Sequence, residues 1–183
     1  MKTMTRTKIY LPIAAMILTA ALAHPAAAQT SCRGFAPGCF KGVFYGQDGH
    51  DAAQPPGATK VLIRTIANGI GTRFNQFLLV REITGDLSNF TNTGSAHWIA
   101  ARREDSIHTT IAGTAELDVA GGVLKVTETH TVTGGTGQFT GAQGSLTVEL
   151  FHKLEPSGVA GGFQTHAISG SFEGTITVPG AAQ

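Results

Sequence analysis

The sequence predicts an all-β fold in which an antiparallel meander closes into a barrel. Apolar and polar residues alternate along successive segments, turn residues separate those segments, and no helical period of apolar residues occurs beyond residue 28. Many short strands joined by tight turns are typical of a closed meander. A two-sheet sandwich is the alternative that the same pattern allows.

The N-terminal segment, residues 1–28, has the pattern of a secretory signal peptide. Basic residues precede an apolar stretch at residues 9–23, and residues 26–28 have the small side chains of a cleavage site. The apolar stretch is shorter than a membrane-spanning helix requires. We expect a bacterial protein exported to the periplasm or the extracellular space, with no membrane span once the signal peptide is removed.

Removal of that segment leaves 183 − 28 = 155 residues, enough for one domain. We assign residues 29–58 to an N-terminal segment of undefined role. We assign residues 59–183 to the barrel domain. The alternative is that the first strand of the barrel begins earlier, at residue 40.

The mature chain is close to neutral. Three of the 13 lysines and arginines leave with the signal peptide. The mature chain then has 10 basic and 12 acidic residues, which gives a net charge of −2. This balance offers no basic surface for nucleic acid or for an anionic membrane.

The two cysteines are expected to form a disulfide. Exported proteins mature where disulfides persist, so Cys32 and Cys39 would close a small loop. Their spacing is not Cys-x-x-Cys, which disfavours a redox-active pair.

Strand-like segments and turns follow one another along the barrel domain. The sequence Asn68-Gly69 predicts a hairpin turn after the first of these segments, and residues 48–57 are predicted to be an irregular connection. Two alternatives are open for residues 31–57: residues 40–45 add a further strand, or the segment is only a tethered loop. The predicted strands of the barrel domain are residues 59–66, 73–84, 95–103, 107–119, 123–133, 145–154 and 162–178.

A glycine-rich run between two of these strands predicts a sharp corner. Glycine supplies positive φ and allows a close approach of a neighbouring chain. Phe139, in the middle of the run, is expected to be buried and to pin the corner. The glycines to which we assign this structural role are Gly134, Gly135, Gly137, Gly141 and Gly144.

The run Gly-Gly-Thr-Gly-x-Phe-x-Gly-Ala-x-Gly at residues 134–144 resembles the calycin-type barrels of allene oxide cyclases and dirigent proteins. It is most similar to the exported bacterial proteins grouped with them. The segment Ile-Ser-Gly-Ser-Phe-Glu-Gly-Thr-Ile at residues 168–176 resembles their closing strand. The resemblance implies eight antiparallel strands, an apolar cavity and a homo-oligomer, commonly a trimer. No catalytic residue carries over from it.

Strand parity predicts which side chains face the interior. A few polar residues share the apolar face of their strands, and a buried polar group without a partner costs roughly 1–3 kcal/mol, so we expect these polar residues to meet. The apolar members, expected to line a ligand pocket, are Leu124, Val126, Val132, Leu146, Val148, Ile168 and Phe172, and the polar members are Glu128, His130, His152 and His166.

Three interpretations of the four polar residues are open. They are hydrated or bonded to backbone at the barrel mouth, they are the polar contacts of an apolar pocket, or they form a metal site or an acid–base pair. Glu128 and His130 share a face, but no cluster has diagnostic metal-ligand spacing, so we predict no metal and no cofactor. No nucleophile elbow or dinucleotide-binding fingerprint occurs in a fitting context.

The predicted function is binding of a small apolar or amphipathic molecule in the barrel cavity. An allene oxide cyclase-like or dirigent-like enzyme that steers a reactive intermediate is the first alternative. A structural or interaction protein with a filled barrel is the second. An unfilled cavity above roughly 300 Å³ that reaches the mouth would favour ligand binding or catalysis over a filled barrel.

Overall fold

A computed structural model describes residues 38–51, 53–102, 104–160 and 162–179. The predicted signal peptide and Cys32 lie outside these residues, so the Cys32–Cys39 disulfide stays a prediction. In the described part of the chain there is no helix with the length and apolar character needed to cross a bilayer.

Eight antiparallel strands form a closed barrel. Each strand pairs with the next in sequence, and the last pairs with the first, which confirms the predicted all-β barrel and excludes the sandwich. The strands are β1 (Cys39–Asp51), β2 (Lys60–Gly71), β3 (Asn75–Asp86), β4 (Thr91–Ala100), β5 (Ser106–Asp118), β6 (Val123–Thr136), β7 (Gln143–Ala160) and β8 (Phe163–Thr177).

β1 begins at Cys39, next to the earliest start allowed for the first strand, and it continues into the segment predicted to be irregular. Asp48 pairs with Thr65 on one side and with His166 on the other. The prediction was wrong for residues 48–51, because aspartate and glycine are frequent in turns, whereas the ladders to both neighbouring strands hold these residues extended.

The hairpin turn predicted at Asn68-Gly69 was also wrong, because β2 runs through it to Gly71. Gly69 is required for close packing against a neighbouring ring, and not for a reversal of the chain. A Cβ atom built on Gly69 would lie 2.3 Å from Cζ of Phe77, so only glycine leaves room for that ring. The chain reverses after β2, where Arg73 and Asn75 have positive φ.

The glycine-rich run covers the end of β6, the connection to β7 and the first residues of β7, and it contains one short 3-10 turn, Gly137–Phe139. Phe139 is buried. A Cβ on Gly144, which has φ of +138°, would lie 2.0 Å from the carbonyl oxygen of Thr175 on β8. The close approach of two strands at this corner therefore requires glycine.

One end of the barrel is filled by aromatic rings. Phe74 lies among them, with its ring centroid 5.2 Å from that of Phe139 and 5.5 Å from that of Phe77. Such distances are typical of favourable aromatic pairs. We call this group the aromatic cluster, and its members are Phe40, Phe74, Phe77, Trp98, Phe139 and Phe172.

The opposite end of the barrel is not filled. Along β3 the inward side chains pass from Phe77 in the aromatic cluster, through Arg81, to Ile83 and Gly85 beside an open cavity. The barrel interior thus has three levels: aromatic rings, a set of buried polar side chains, and a cavity at the end where β1 connects to β2 and β3 to β4.

Candidate ligand-binding site

Polar side chains from seven of the eight strands meet in the middle level of the barrel. Apart from His152, whose side chain is 12% exposed, all of them are buried. We call them the polar layer, and its members are Asp48, Thr65, Arg81, Thr109, Glu128, His130, His152 and His166.

Arg81 is the centre of the polar layer. Its Nη1 donates to both carboxylate oxygens of Glu128, at 2.7 and 2.8 Å, and its Nη2 lies 3.4 Å from Oδ2 of Asp48. Its Nε donates to the hydroxyl of Thr65 at 2.9 Å. All three guanidinium nitrogens therefore have protein acceptors, as a buried arginine requires.

Asp48 connects Arg81 to the cavity. Besides its ion pair with Arg81, it accepts a hydrogen bond from the hydroxyl of Thr65 and one from Nδ1 of His152, at 3.1 Å. A carboxylate that accepts from Nδ1 fixes the tautomer of the imidazole, so Nε2 of His152 is left as the nitrogen that can accept a proton.

His130 closes the other side of the network. Its Nε2 donates to Oε2 of Glu128 at 3.0 Å, and its Nδ1 accepts from the hydroxyl of Thr109 at 3.2 Å. Burial lowers the pKa of His130 and outweighs the opposing effect of Glu128. This arrangement satisfies a neutral imidazole at both nitrogens.

The two carboxylates are ionised. Burial alone would raise the pKa of Asp48, but the hydrogen bond from His152 and the charge of Arg81 outweigh it, and the pKa is lowered. The pKa of Glu128 is lowered in the same way, because Arg81 and His130 outweigh its burial. The opposite charges raise the pKa of Arg81. The layer therefore holds true ion pairs.

Three histidine rings are stacked beside Asp48. The ring of His166 lies 4.5 Å from that of His152 and 5.4 Å from that of His50. Nδ1 of His166 donates to the carbonyl of Lys153, and its buried Nε2 has no hydrogen-bond partner among the described residues. Burial lowers the pKa of His166 and outweighs the opposing hydrogen bond to the carbonyl of Lys153.

A cavity of about 320 Å³ lies against this layer and reaches the end of the barrel. Asp48, Arg81 and His152 form its inner end, and half-exposed side chains such as Leu87 and Phe90 surround its opening. Its walls are mainly apolar and include Val61, Ile63, Ile83, Gly85, Ala115, Leu117, Leu124, Val126 and Leu154.

All eleven side chains predicted from parity to face inward do so, but only three of them line the cavity. These three are Leu124, Val126 and His152. Glu128, His130 and His166 belong to the polar layer. The other five, Val132, Leu146, Val148, Ile168 and Phe172, are buried in the core and do not line the cavity.

Sequence reasoning missed Asp48 and Arg81. The alternation of Phe77, Leu79 and Ile83 along β3 already placed Arg81 on the inner face, so parity could have found it. Asp48 was missed because its segment was predicted to be irregular.

A wider depression, about 970 Å³, lies on the outer surface of the barrel. It is lined by residues of β1, β2, β3, β7 and β8, including Val43, Ile70 and Glu149, and it contains no histidine. Because this depression is open on the outer surface, whereas the interior cavity is enclosed by apolar walls with charged groups at its inner end, the interior cavity is the better candidate site.

The described residues contain no group of three or more histidine, cysteine, aspartate or glutamate side chains arranged to hold a metal ion. The histidines of the polar layer are instead engaged with carboxylates, a hydroxyl and a backbone carbonyl.

Comparisons with known proteins add little to what the geometry of the site shows. No known family and no curated protein matches the sequence. Among solved structures, the chain is similar to the pterocarpan synthase dirigent protein GePTS1, with a TM-score of 0.38 and 10% sequence identity over 79% of this chain and 88% of that one. A likeness this weak assigns no activity.

Proposed function

We propose that this protein is exported and binds a small apolar or amphipathic molecule in the barrel cavity. The observation that carries the proposal is a cavity of about 320 Å³ with apolar walls and charged groups at its inner end. Pockets of this size and lining are typical of small-molecule sites, in which apolar contacts supply affinity and a few polar groups fix orientation. Export rests on the signal-like N-terminal segment.

Gly85 offers a direct test, because it faces the cavity. A Cβ atom there would meet its nearest neighbour, Cγ1 of Val61, at an ordinary contact distance of 3.4 Å. The variant Gly85→Leu should therefore fold and fill the cavity. The matched control is Gly49→Leu, since Gly49 lies outward on β1 and a Cβ there has no neighbour closer than 3.9 Å.

Native mass spectrometry of the protein purified from its own host, together with calorimetric titration of the ligand it carries, would make the comparison. We expect wild type and Gly49→Leu to carry and bind the ligand and Gly85→Leu to lose it. If all three proteins bind the ligand equally, the ligand does not occupy the barrel cavity. If wild type carries nothing and binds no member of a panel of apolar compounds, the proposal fails.

A second candidate function, catalysis as in an allene oxide cyclase-like or dirigent-like barrel, is favoured by the His152–Asp48 pair. Asp48 orients the ring, and His152 lines the apolar cavity, which is the arrangement of a general base with limited access to water. His152 would take a proton from a bound intermediate while the cavity restricts the intermediate's conformation.

Elimination of 5-nitrobenzisoxazole, a small apolar molecule that needs one proton removed, tests this competence without knowledge of the natural substrate. We expect wild type to accelerate it by more than about tenfold over His152→Gln, in line with general-base contributions. Equal rates for the two proteins would remove His152 as a base and leave ligand binding as the function.

A further inference from the structure

The polar layer contains an arginine that is not available to a ligand. Nη1 of Arg81 donates to Glu128, Nη2 is directed to Asp48, and Nε donates to Thr65. A carboxylate entering the cavity would find no arginine donor and would approach two ionised carboxylates. Although Arg81 lines the cavity, the geometry is unsuited to an anionic head group.

The fixed charges of the layer do not cancel. Among the three ion-paired side chains, Asp48 and Glu128 carry two negative charges and Arg81 carries one positive charge, which leaves a net charge of −1 on this group. His130 does not compensate, because burial lowers its pKa and keeps it neutral. Apolar walls surround the remaining charge on the cavity side, so its field is weakly screened there.

An unpaired acceptor lies on the same cavity. Asn92 lines it, is only 7% exposed, and its Oδ1 accepts no hydrogen bond from the described residues. A Cβ on Gly113 would lie 2.8 Å from this oxygen and 2.7 Å from Cγ of Glu128. The side chains of Asn92 and Glu128 therefore lie close together, against Gly113. A buried acceptor without a donor is unfavourable until a ligand supplies one.

From these observations we infer that the ligand is a small amphiphile with a protonated amine as head group, and that the cavity rejects the corresponding carboxylate. The apolar part lies along Ile83 and Leu124, and the ammonium group lies toward Asp48 and Asn92. This inference rests on the proposed function, because it assigns the ligand class of the same cavity.

Calorimetric titration of three probes with the same chain and different head groups tests the inference: octylamine, octanol and octanoate. The titrations are run at about pH 8, where a primary amine, like lysine with a pKa of about 10.4, is protonated. We expect octylamine to bind at least about tenfold more tightly than octanol, and octanoate to bind more weakly than both.

Two variants identify the origin of the preference. Asp48→Asn removes one negative charge from the layer and should reduce the advantage of octylamine over octanol by about tenfold. Glu116→Gln removes one negative charge from the exposed outer face of β5 and should leave the advantage unchanged. If Asp48→Asn does not fold, Asn92→Ala replaces it and should reduce the same ratio.

The outcomes separate the inference from the proposed function. Binding of octanol or octanoate as tight as that of octylamine overturns the inference and leaves the cavity as a ligand site. An octylamine preference that survives in Asp48→Asn and in Asn92→Ala also overturns it. If none of the three probes binds wild type, the inference falls together with the proposed function.

Discussion

Nη1 of Arg81 forms an ion pair with Glu128 inside the barrel and donates to both carboxylate oxygens, with N–O distances of 2.7 and 2.8 Å. Both side chains are almost completely buried, on strands β3 and β6. Asp48 shares the same arginine. Each charge in this group is tolerated only because the others are present.

Replacement of Arg81 by methionine should destabilise the protein strongly. It leaves Asp48 and Glu128 buried without a positive partner, a situation that typically costs about 3–5 kcal/mol. The free energy of unfolding, measured by urea denaturation, checks the prediction. The control is Arg64→Met, because the Arg64–Glu82 pair is 56% exposed at both side chains and should contribute less than about 1 kcal/mol. Similar losses in both variants would contradict a buried charge network.

The stability of the protein should decrease as the pH falls from about 7 to about 5. Unfolded histidine has a pKa of about 6.5. Burial lowers the pKa of folded His130 below that value, so between the two values the unfolded state binds more protons and acid favours unfolding. His130 is faced by Glu128, Arg81 and Thr109, and His166 adds to the effect with a pKa lowered in the same direction.

Urea denaturation across this pH range measures the effect. The variant His130→Gln should lose stability less steeply than wild type as the pH falls, and His166→Gln should do so to a smaller extent. A His130→Gln variant with the slope of wild type would show that folding does not change the pKa of His130.

Truncation of Phe74 tests the closed end of the barrel. Phe74 packs against several rings of the aromatic cluster, so Phe74→Ala should cost about 3–5 kcal/mol through the cavity it creates. Phe151, on the outer face of β7 and 43% exposed, gives the control Phe151→Ala, with a loss below about 1 kcal/mol. Fluorescence of Trp98, the only tryptophan, follows unfolding in both. Equal losses would contradict a packed aromatic end.

The glycine-rich corner makes a matching prediction. In the variant Gly144→Ala, the residue has a positive φ and its Cβ would lie 2.0 Å from the carbonyl oxygen of Thr175. We therefore expect the free energy of unfolding to fall by more than about 2 kcal/mol. Gly158→Ala, also on β7, meets no atom closer than 3.9 Å and should change stability by no more than about 0.5 kcal/mol. Thermal unfolding by circular dichroism compares the two variants. An unaffected Gly144→Ala variant would remove the requirement for glycine.

Strand periodicity predicted the class of fold and the inner face because a β-strand in a barrel has one apolar side. The same rule placed Glu128, His130, His152 and His166 in the interior. It could not show that Arg81 joins Glu128 to Asp48, since these residues come together only when β1, β3 and β6 close around one axis.

Local turn signals were less reliable than periodicity. Asn68-Gly69 has the sequence of a hairpin turn, yet the missing Cβ of Gly69 makes room for Phe77 within a continuous strand. The limits of the cavity were not predictable either, because they depend on which inward side chains are too small to meet across the barrel, such as Gly85 and Ala115.

A crystal structure of the protein with 2-(4-bromophenyl)ethylamine would test the central claim most directly, because the anomalous signal of bromine locates the ligand independently of its surroundings. We expect one bromine peak among Ile83, Leu117 and Leu124, with the amine directed toward Asp48. A bromine peak only on the outer surface, or ordered side chains filling the space in front of Arg81, would contradict it.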